Sequence, residues 1–181
     1  MHMVLSFLLN KVHYIYKSYS YASDSVDGET INSIGRGLCI FIGISRDDTR
    51  KDIDFMVRKL LNLRLFDNDE NKRWSLSVLD KKYEVLLISQ FTLHATLKGN
   101  KPDFHLSMDP ENSQKFYSDF VAAMKHAYDD QHVKDGKFGA YMQVNIQNDG
   151  PVTMSIESNE NKKINKETEQ ENKKSLENAV R

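Results

Sequence analysis

The run Val85–Ile88, four branched apolar residues with nothing polar between them, restricts the fold more than any other stretch of this chain. Unbroken apolar character of that length predicts a strand buried on both faces rather than one with a solvated side. The run then yields to Ser89, Gln90 and Thr92, small hydrogen-bonding residues set around Phe91. If the strand continues, its period of two puts Ser89, Phe91 and Leu93 on one face and Gln90 and Thr92 on the other. Polar groups at the end of a core strand cost about 1–3 kcal/mol each if they find no partner. They are either stitched to neighbouring backbone or held ready for a ligand. Taken alone, packing explains them, because strand ends commonly carry Ser and Thr.

The remaining elements predict what this strand packs against. HYIYKSYSYAS, near the start, has the composition of a strand but an irregular pattern. Asp27-Gly28 signals a hairpin between Ser25-Val26 and Thr30–Ile34, and Leu38–Ile44 reads as a central strand. Asp47-Asp48-Thr49 offers caps for a helix whose inner face is Ile53, Met56, Val57, Leu60 and Leu61. Leu63–Phe66 and Ser75–Leu79 read as strands separated by a polar turn, and Thr96–Phe104 as a loop. Asp109-Pro110-Glu111 opens a second helix with Phe116, Phe120, Met124 and Ala127 on one face. Lys134–Lys137 reads as a basic turn around Gly136, Ala140–Gln147 alternates as a strand, and Val152–Ile156 follows as another after a sharp turn. From Ser158 onward the chain is Asn, Lys, Glu and Gln with hardly an apolar residue, too polar to order. The order predicts a mixed α/β fold, with a largely antiparallel sheet or barrel and helices packed on a face. Residues 1–21 form an atypical N-terminal segment, 22–157 the domain, and 158–181 a disordered polar tail.

Charge and cysteine usage narrow the function. A net charge of −1 argues against binding duplex DNA, which requires many neutralised phosphates, but leaves room for a local RNA contact. The one cysteine, Cys39, suits a reducing, cytoplasmic setting, and its apolar neighbours predict a buried and inert thiol. Val4–Leu9 is too short and uncharged at its start to predict a secretory signal, and no stretch approaches a membrane span. The six histidines form no metal-binding spacing and no cofactor fingerprint is present, so neither metal nor cofactor is expected. Ser89 is not in a nucleophile elbow, and His94 and His105 read as ordinary core or surface histidines.

What remains is two hydrogen-bonding strand ends, Ser89-Gln90-Phe91-Thr92 and Asn148-Asp149-Gly150-Pro151-Val152-Thr153. With Lys98–His105 (KGNKPDFH) and Gly136–Met142 (GKFGAYM), in this order, the chain resembles the D-aminoacyl-tRNA deacylases. The resemblance runs from about Ala22 to Glu157 and includes Gly35–Gly37, Val57–Leu65 and Ser75–Asp80. It implies a homodimer that hydrolyses the ester between a D-amino acid, or glycine, and the terminal ribose of tRNA. It places Ser89, Gln90, Phe91 and Thr92 in the catalytic pocket and Phe138 and Met142 beside the adenosine. Gly150-Pro151 of the other subunit would enter that pocket through a cis peptide bond and reject L-amino acids by a clash with rigid backbone, with Asn148 bracing the turn. Backbone N–H groups around Gln90 and Phe91 would stabilise the oxyanion, while the substrate's own ribose hydroxyl helps to activate water. Lys98, Lys101 and Lys137 are equally well read as phosphate contacts or as solvated lysines.

One departure stands out. The family opens with a strand carrying Gln-Arg-Val, whereas counting back from Ala22-Ser23 puts Ser18 where that arginine belongs. A missing first strand would expose a sheet edge and weaken the dimer. The favoured explanation is an alternative or misassigned start, and the other is impaired activity. The alternative function is therefore a non-catalytic tRNA-binding or scaffold protein that keeps the fold.

Overall fold

The computed structural model describes residues 12–18, 21–147 and 152–158. Strands β1 (Val12–Ser18), β2 (Tyr21–Val26), β3 (Glu29–Ile34) and β4 (Gly37–Ile42) come first. The predicted hairpin joins β2 to β3, and both turn residues take positive φ, 52° at Asp27 and 84° at Gly28, which matches the twist of the flanking strands. Helix α1 (Arg50–Asn62) starts at Thr49, whose N–H and Oγ1 each donate to the Asp52 carboxylate at 2.9 Å. Its five predicted apolar positions are all buried.

Two predicted strands are absent. Leu63–Phe66 and Ser75–Leu79 touch only through a bridge between Phe66 and Leu76, and Ser77 turns instead into the cap of a short helix, α2 (Val78–Lys81). The cause is local: Ser77 N–H and Oγ both donate to the Asp80 carboxylate at 2.8 Å, a capping box that overrides the strand-like composition. Strand β5 (Glu84–Ser89) follows, then a one-turn 3-10 helix at Phe91–His94. The predicted loop after it is a hairpin, β6 (Thr96–Lys98) and β7 (Lys101–Asp103), closed by Gly99 at φ 62°. Helix α3 (Pro110–Ala127) is capped by Asp109, which accepts from Asn112 N–H at 3.1 Å. Its buried face is Tyr117, Phe120, Val121 and Met124; Phe116 is only half-buried and Ala127 is exposed, so the predicted stripe is rotated. The chain ends in β8 (Val133–Asp135), read above as part of a turn, then β9 (Gln143–Gln147) and β10 (Thr153–Glu157).

The main sheet has the order β10-β1-β4-β5-β8, and a smaller antiparallel sheet has the order β3-β2-β9. The mixed α/β class holds, and no barrel closes among the described residues. Antiparallel pairing prevails, but the centre of the main sheet is parallel, β4 with β5 and β5 with β8. Parallel neighbours need long crossovers, and α1 and α3 supply them on one face. Leu38, Ile40, Val85 and Leu87 point into that helical layer, while Cys39, Leu86 and Ile88 point into the small sheet with Ala22 and Ile34. Both faces of β4 and β5 are covered, which is why their sequences show no polar alternation.

The N-terminal expectation needs correction. Strand β1 is present and pairs with β4 on one side and β10 on the other, so the main sheet does not lose the strand and gain an exposed edge at β4. None of the described helices is long and apolar enough to cross a membrane.

Candidate active site

The parallel pair β4–β5 ends at Ile42 and Ser89, and strand ends of parallel sheets are where chains diverge and leave a crevice. Gln90 N–H donates to Ile42 O at 2.8 Å, prolonging the ladder by one residue. The chain then tightens, with Leu93 N–H donating to Gln90 O at 3.2 Å and Ala95 N–H to Thr92 O at 3.1 Å. The expected continuation of the strand is therefore overturned: Phe91–His94 is a helical turn, and the two-face alternation stops at Ser89. Gly43 permits this, because a side chain there would lie 2.8 Å from Leu93 Cβ and 3.1 Å from the buried His94 ring.

The turn is held rigidly. Gln90 Nε2 donates to Thr92 Oγ1 at 2.6 Å, and Ser107 Oγ donates to Phe91 O at 3.0 Å. The Phe91 ring, 59% exposed, meets Phe104 edge-on with centroids 5.0 Å apart.

The facing wall is built at the end of β8. Gly136 N–H and Tyr117 Oη both donate to Leu87 O at 2.8 Å, drawing the chain against β5. Tyr117 is buried, and its phenol is held far above its ordinary titration range, chiefly by that burial. Its ring supports Phe138, with centroids 5.4 Å apart, and Ala140 N–H closes the turn onto Lys137 O at 3.2 Å. Between the walls lies a cleft of about 370 Å³, with Ser89, Gln90 and Phe91 on one side, Phe138 and Met142 on the other, and Ile42 and Ile88 among its floor residues.

Five of the residues singled out from sequence thus meet in one cleft. Thr92 is not among the lining residues but braces Gln90 beside it. Asn148, Gly150 and Pro151 lie outside the described residues. Lys101 and Lys137 are exposed, and Lys98 is ion-paired with Asp103. Met108 and Ser113, outside every motif, also line the cleft, as does Tyr141, which the GKFGAYM motif contains without a role assigned to it. Met108 N–H donates to Ile44 O at 2.9 Å, so the residue before the recognised cap Asp109 is pulled under the strand end, a long-range pairing with no local signal.

The cleft lining carries no carboxylate, imidazole or thiol among the described residues. His94 is buried at 3% exposure and His105 is exposed, with Nδ1 2.7 Å from Asp103 Oδ1, so no serine triad assembles at Ser89. One expectation is corrected: Gln90 N–H is spent on Ile42 O and is not an oxyanion donor. Phe91 and Thr92 open the turn, and the first N–H groups of a helical turn have no partner within it.

One carboxylate lies behind the cleft wall. Asp24, on β2, is fully buried, and among the described residues the nearby main-chain N–H groups reach neither oxygen in full hydrogen-bond geometry. Its carboxyl is pushed above the usual value of 3.8, mainly by burial, with the Asp135 charge adding to it and the main-chain N–H groups of Asn32 and Asp24 opposing it. Cys39, on the same side of the main sheet, is pushed up to about 12 by burial and by the Asp24 charge. The predicted inert thiol follows.

Comparison with known proteins agrees with this geometry. The D-Tyr-tRNA(Tyr) deacylase family matches residues 15–157. D-aminoacyl-tRNA deacylase 1 of Bos taurus is 59% identical over 137 residues, covering 76% of this chain and 66% of that protein. D-aminoacyl-tRNA deacylase of Drosophila melanogaster is 51% identical over 148 residues, covering 82% of this chain and 93% of that protein. The solved structure described as c-Myc DNA Unwinding Element Binding Protein superposes with a TM-score of 0.77 at 53% identity, over 81% of this chain and 98% of that one. A family match across most of the described residues, joined to relatives above half identity, places the chain, which spans about 66% of the length of the Bos taurus relative: it belongs to the D-Tyr-tRNA(Tyr) deacylase family.

Proposed function

We propose that this chain hydrolyses the ester joining a D-amino acid, or glycine, to the 3′-terminal ribose of tRNA, releasing the free amino acid and tRNA. The observation that carries this is the convergence of the Ser89–Phe91 wall with Phe138 and Met142 on one cleft, in a chain of the deacylase family. Phe138 and Met142 offer an apolar face to the terminal adenosine, while Gln90, braced by Thr92, orients the aminoacyl end.

A cleft without a base needs its base from elsewhere. Water attacks the ester carbonyl, and the vicinal ribose hydroxyl helps to take its proton. The tetrahedral oxyanion is met by the N–H groups of Phe91 and Thr92, and collapse breaks the bond to the ribose oxygen, which leaves with a proton. Most of the acceleration then comes from positioning and fixed dipoles rather than a nucleophile.

Chirality is sensed by main chain. Gly150-Pro151 of a second copy of this chain, braced by Asn148, closes the pocket so that an L side chain strikes backbone and a D side chain or glycine does not. On this reading the enzyme is a cytoplasmic homodimer whose catalytic domain takes in β1 and runs to Glu157, with residues 158–181 as a polar tail. The rival reading, a tRNA-binding scaffold without turnover, rests on Ser18 in place of arginine. The position of β1 in the sheet supports an intact fold instead. The test is release of tyrosine from D-tyrosyl-tRNA and L-tyrosyl-tRNA in parallel. Release from the D ester alone is expected; equal release from both defeats the gate, and release from neither, restored by Ser18→Arg, favours the scaffold.

A further inference from the structure

The hairpin β6–β7 breaks a local rule in a way that points outward. Lys98 and Lys101 stand directly opposite each other in its antiparallel register, around the Gly99-Asn100 turn. Like charges in that position destabilise a strand pair. Only one of the two is compensated: the Asp103 carboxylate pairs with Lys98, whereas Lys101 has no ion-pair partner among the described residues. Asp103 also accepts from His105 N–H at 2.9 Å and contacts His105 Nδ1 at 2.7 Å, which fixes the base of the hairpin. With these partners its carboxyl is held well below the usual range, Lys98 being the largest cause.

The hairpin is also mechanically joined to the cleft. Its last residue is followed by Phe104, which packs on Phe91, and by Ser107, which bonds Phe91 O. Arg46 is brought alongside, its N–H donating to Leu106 O at 3.1 Å, and its side chain is exposed. A protein with net charge −1 thus presents exposed cations on segments joined to the Phe91 wall of its cleft. Neither Lys98 nor Lys101 lines the cleft, so the pair lies outside the space between the walls.

We infer that Lys98 and Lys101 form a phosphate-binding arm that grips the RNA backbone of the acceptor stem upstream of the terminal nucleotide. The opposed lysines are tolerated because a phosphodiester between them replaces repulsion with two attractive contacts. Asp103 acts as a positioning residue that holds one of the two in place. The identity of the RNA rests on the deacylase reading; the anion-binding role of the arm does not.

The experiment uses the full chain with Lys98→Ala and Lys101→Ala together, and the matched pair of Lys→Arg substitutions. Three readouts are taken: hydrolysis of D-tyrosyl-tRNA, hydrolysis of 3′-O-D-tyrosyl-adenosine, and binding of uncharged tRNA across a salt series. The alanine variant should raise KM for the tRNA ester about tenfold near 0.1 M salt with kcat unchanged, and the slope of log affinity against log salt should fall by about 2, close to one per lost contact. The adenosine ester should be cleaved as by the unaltered protein, and the arginine pair should behave as the lysines do. An unchanged salt slope overturns the arm, as does an equal loss on both esters, which would mark a folding defect. If the unaltered protein cleaves neither ester, the deacylase reading fails while the salt slope still decides the arm.

Discussion

Replacing Asp24 by Val should make the protein more stable, and increasingly so as pH rises. Asp24 faces Asn32 on β3 and Val144 on β9, fully buried, and among the described residues the main-chain N–H groups of Asn32 and Asp24 reach its oxygens only short of full hydrogen-bond geometry. A side chain at Gly136 would meet Ile88 Cδ1 at 2.9 Å, Met142 Sδ at 2.8 Å and Asp24 Oδ2 at 3.1 Å, so the carboxylate sits in an apolar seam. An orphaned polar group of this kind costs about 1–3 kcal/mol. Two buried methyl groups in its place contribute about 1.5 kcal/mol, and Val suits a strand. The sum is about 2.5–4.5 kcal/mol, or roughly 5–18 °C in Tm for a domain of this size.

The pH dependence has a definite sign. The folded-state pKa of Asp24 is raised, so the folded chain holds its proton more tightly than the unfolded chain. The contribution to stability is full below the ordinary carboxylate value of 3.8 and is lost as pH climbs through the folded value. The gap between variant and parent should therefore widen from pH 4 upward and then level off. Urea unfolding followed by circular dichroism at several pH values measures it. A destabilised variant, or a gap that narrows with pH, would show that Asp24 has a partner in solution and that burial does not set its cost.

Three further expectations follow from the same geometry. Thr92→Val removes the brace on Gln90 but no nucleophile, so kcat on D-tyrosyl-tRNA should fall by about tenfold or less; a loss above a thousandfold would identify Thr92 as the attacking group. Gly37→Ala would set a methyl 1.8 Å from Glu84 O, prising β4 from β5, and should cost more than ~3 kcal/mol in urea unfolding or abolish soluble expression. Cys39, buried with its thiol pushed up to about 12, should resist a thiol reagent at pH 8 in the folded protein and react within minutes after denaturation.

The parts of this molecule that can be read from the chain alone are those set by neighbours in sequence. The Asp27-Gly28 turn, the Thr49 and Asp109 caps and the inner face of α1 all belong to that class. Where the chain misleads, a competing interaction prevails. Ser75–Leu79 has the composition of a strand, but the reciprocal bonds of Ser77 and Asp80 are local and form first choice for a helix turn. Val133–Asp135 looks like part of a basic turn and becomes a strand only because β5 offers a free parallel edge far away in sequence. The site divides the same way. Ser89–Phe91, Phe138 and Met142 are found through motifs, whereas the orphaned Asp24 and the recruitment of Met108 depend on sheet packing that no short window records.

On the proposed function, one cleft seats the aminoacylated terminal nucleoside and distinguishes its hand. A hydrolysis-resistant mimic, 3′-amino-3′-deoxyadenosine carrying D-tyrosine as an amide, can be titrated into the isotopically labelled protein while backbone amide signals are followed. Saturable shifts concentrated at Ser89–Thr92 and Phe138–Met142 are expected, with the L-tyrosine mimic binding at least tenfold more weakly. Shifts centred instead on the α1–α3 groove around Val57 and Ala123, or equal binding of the two mimics, would contradict it.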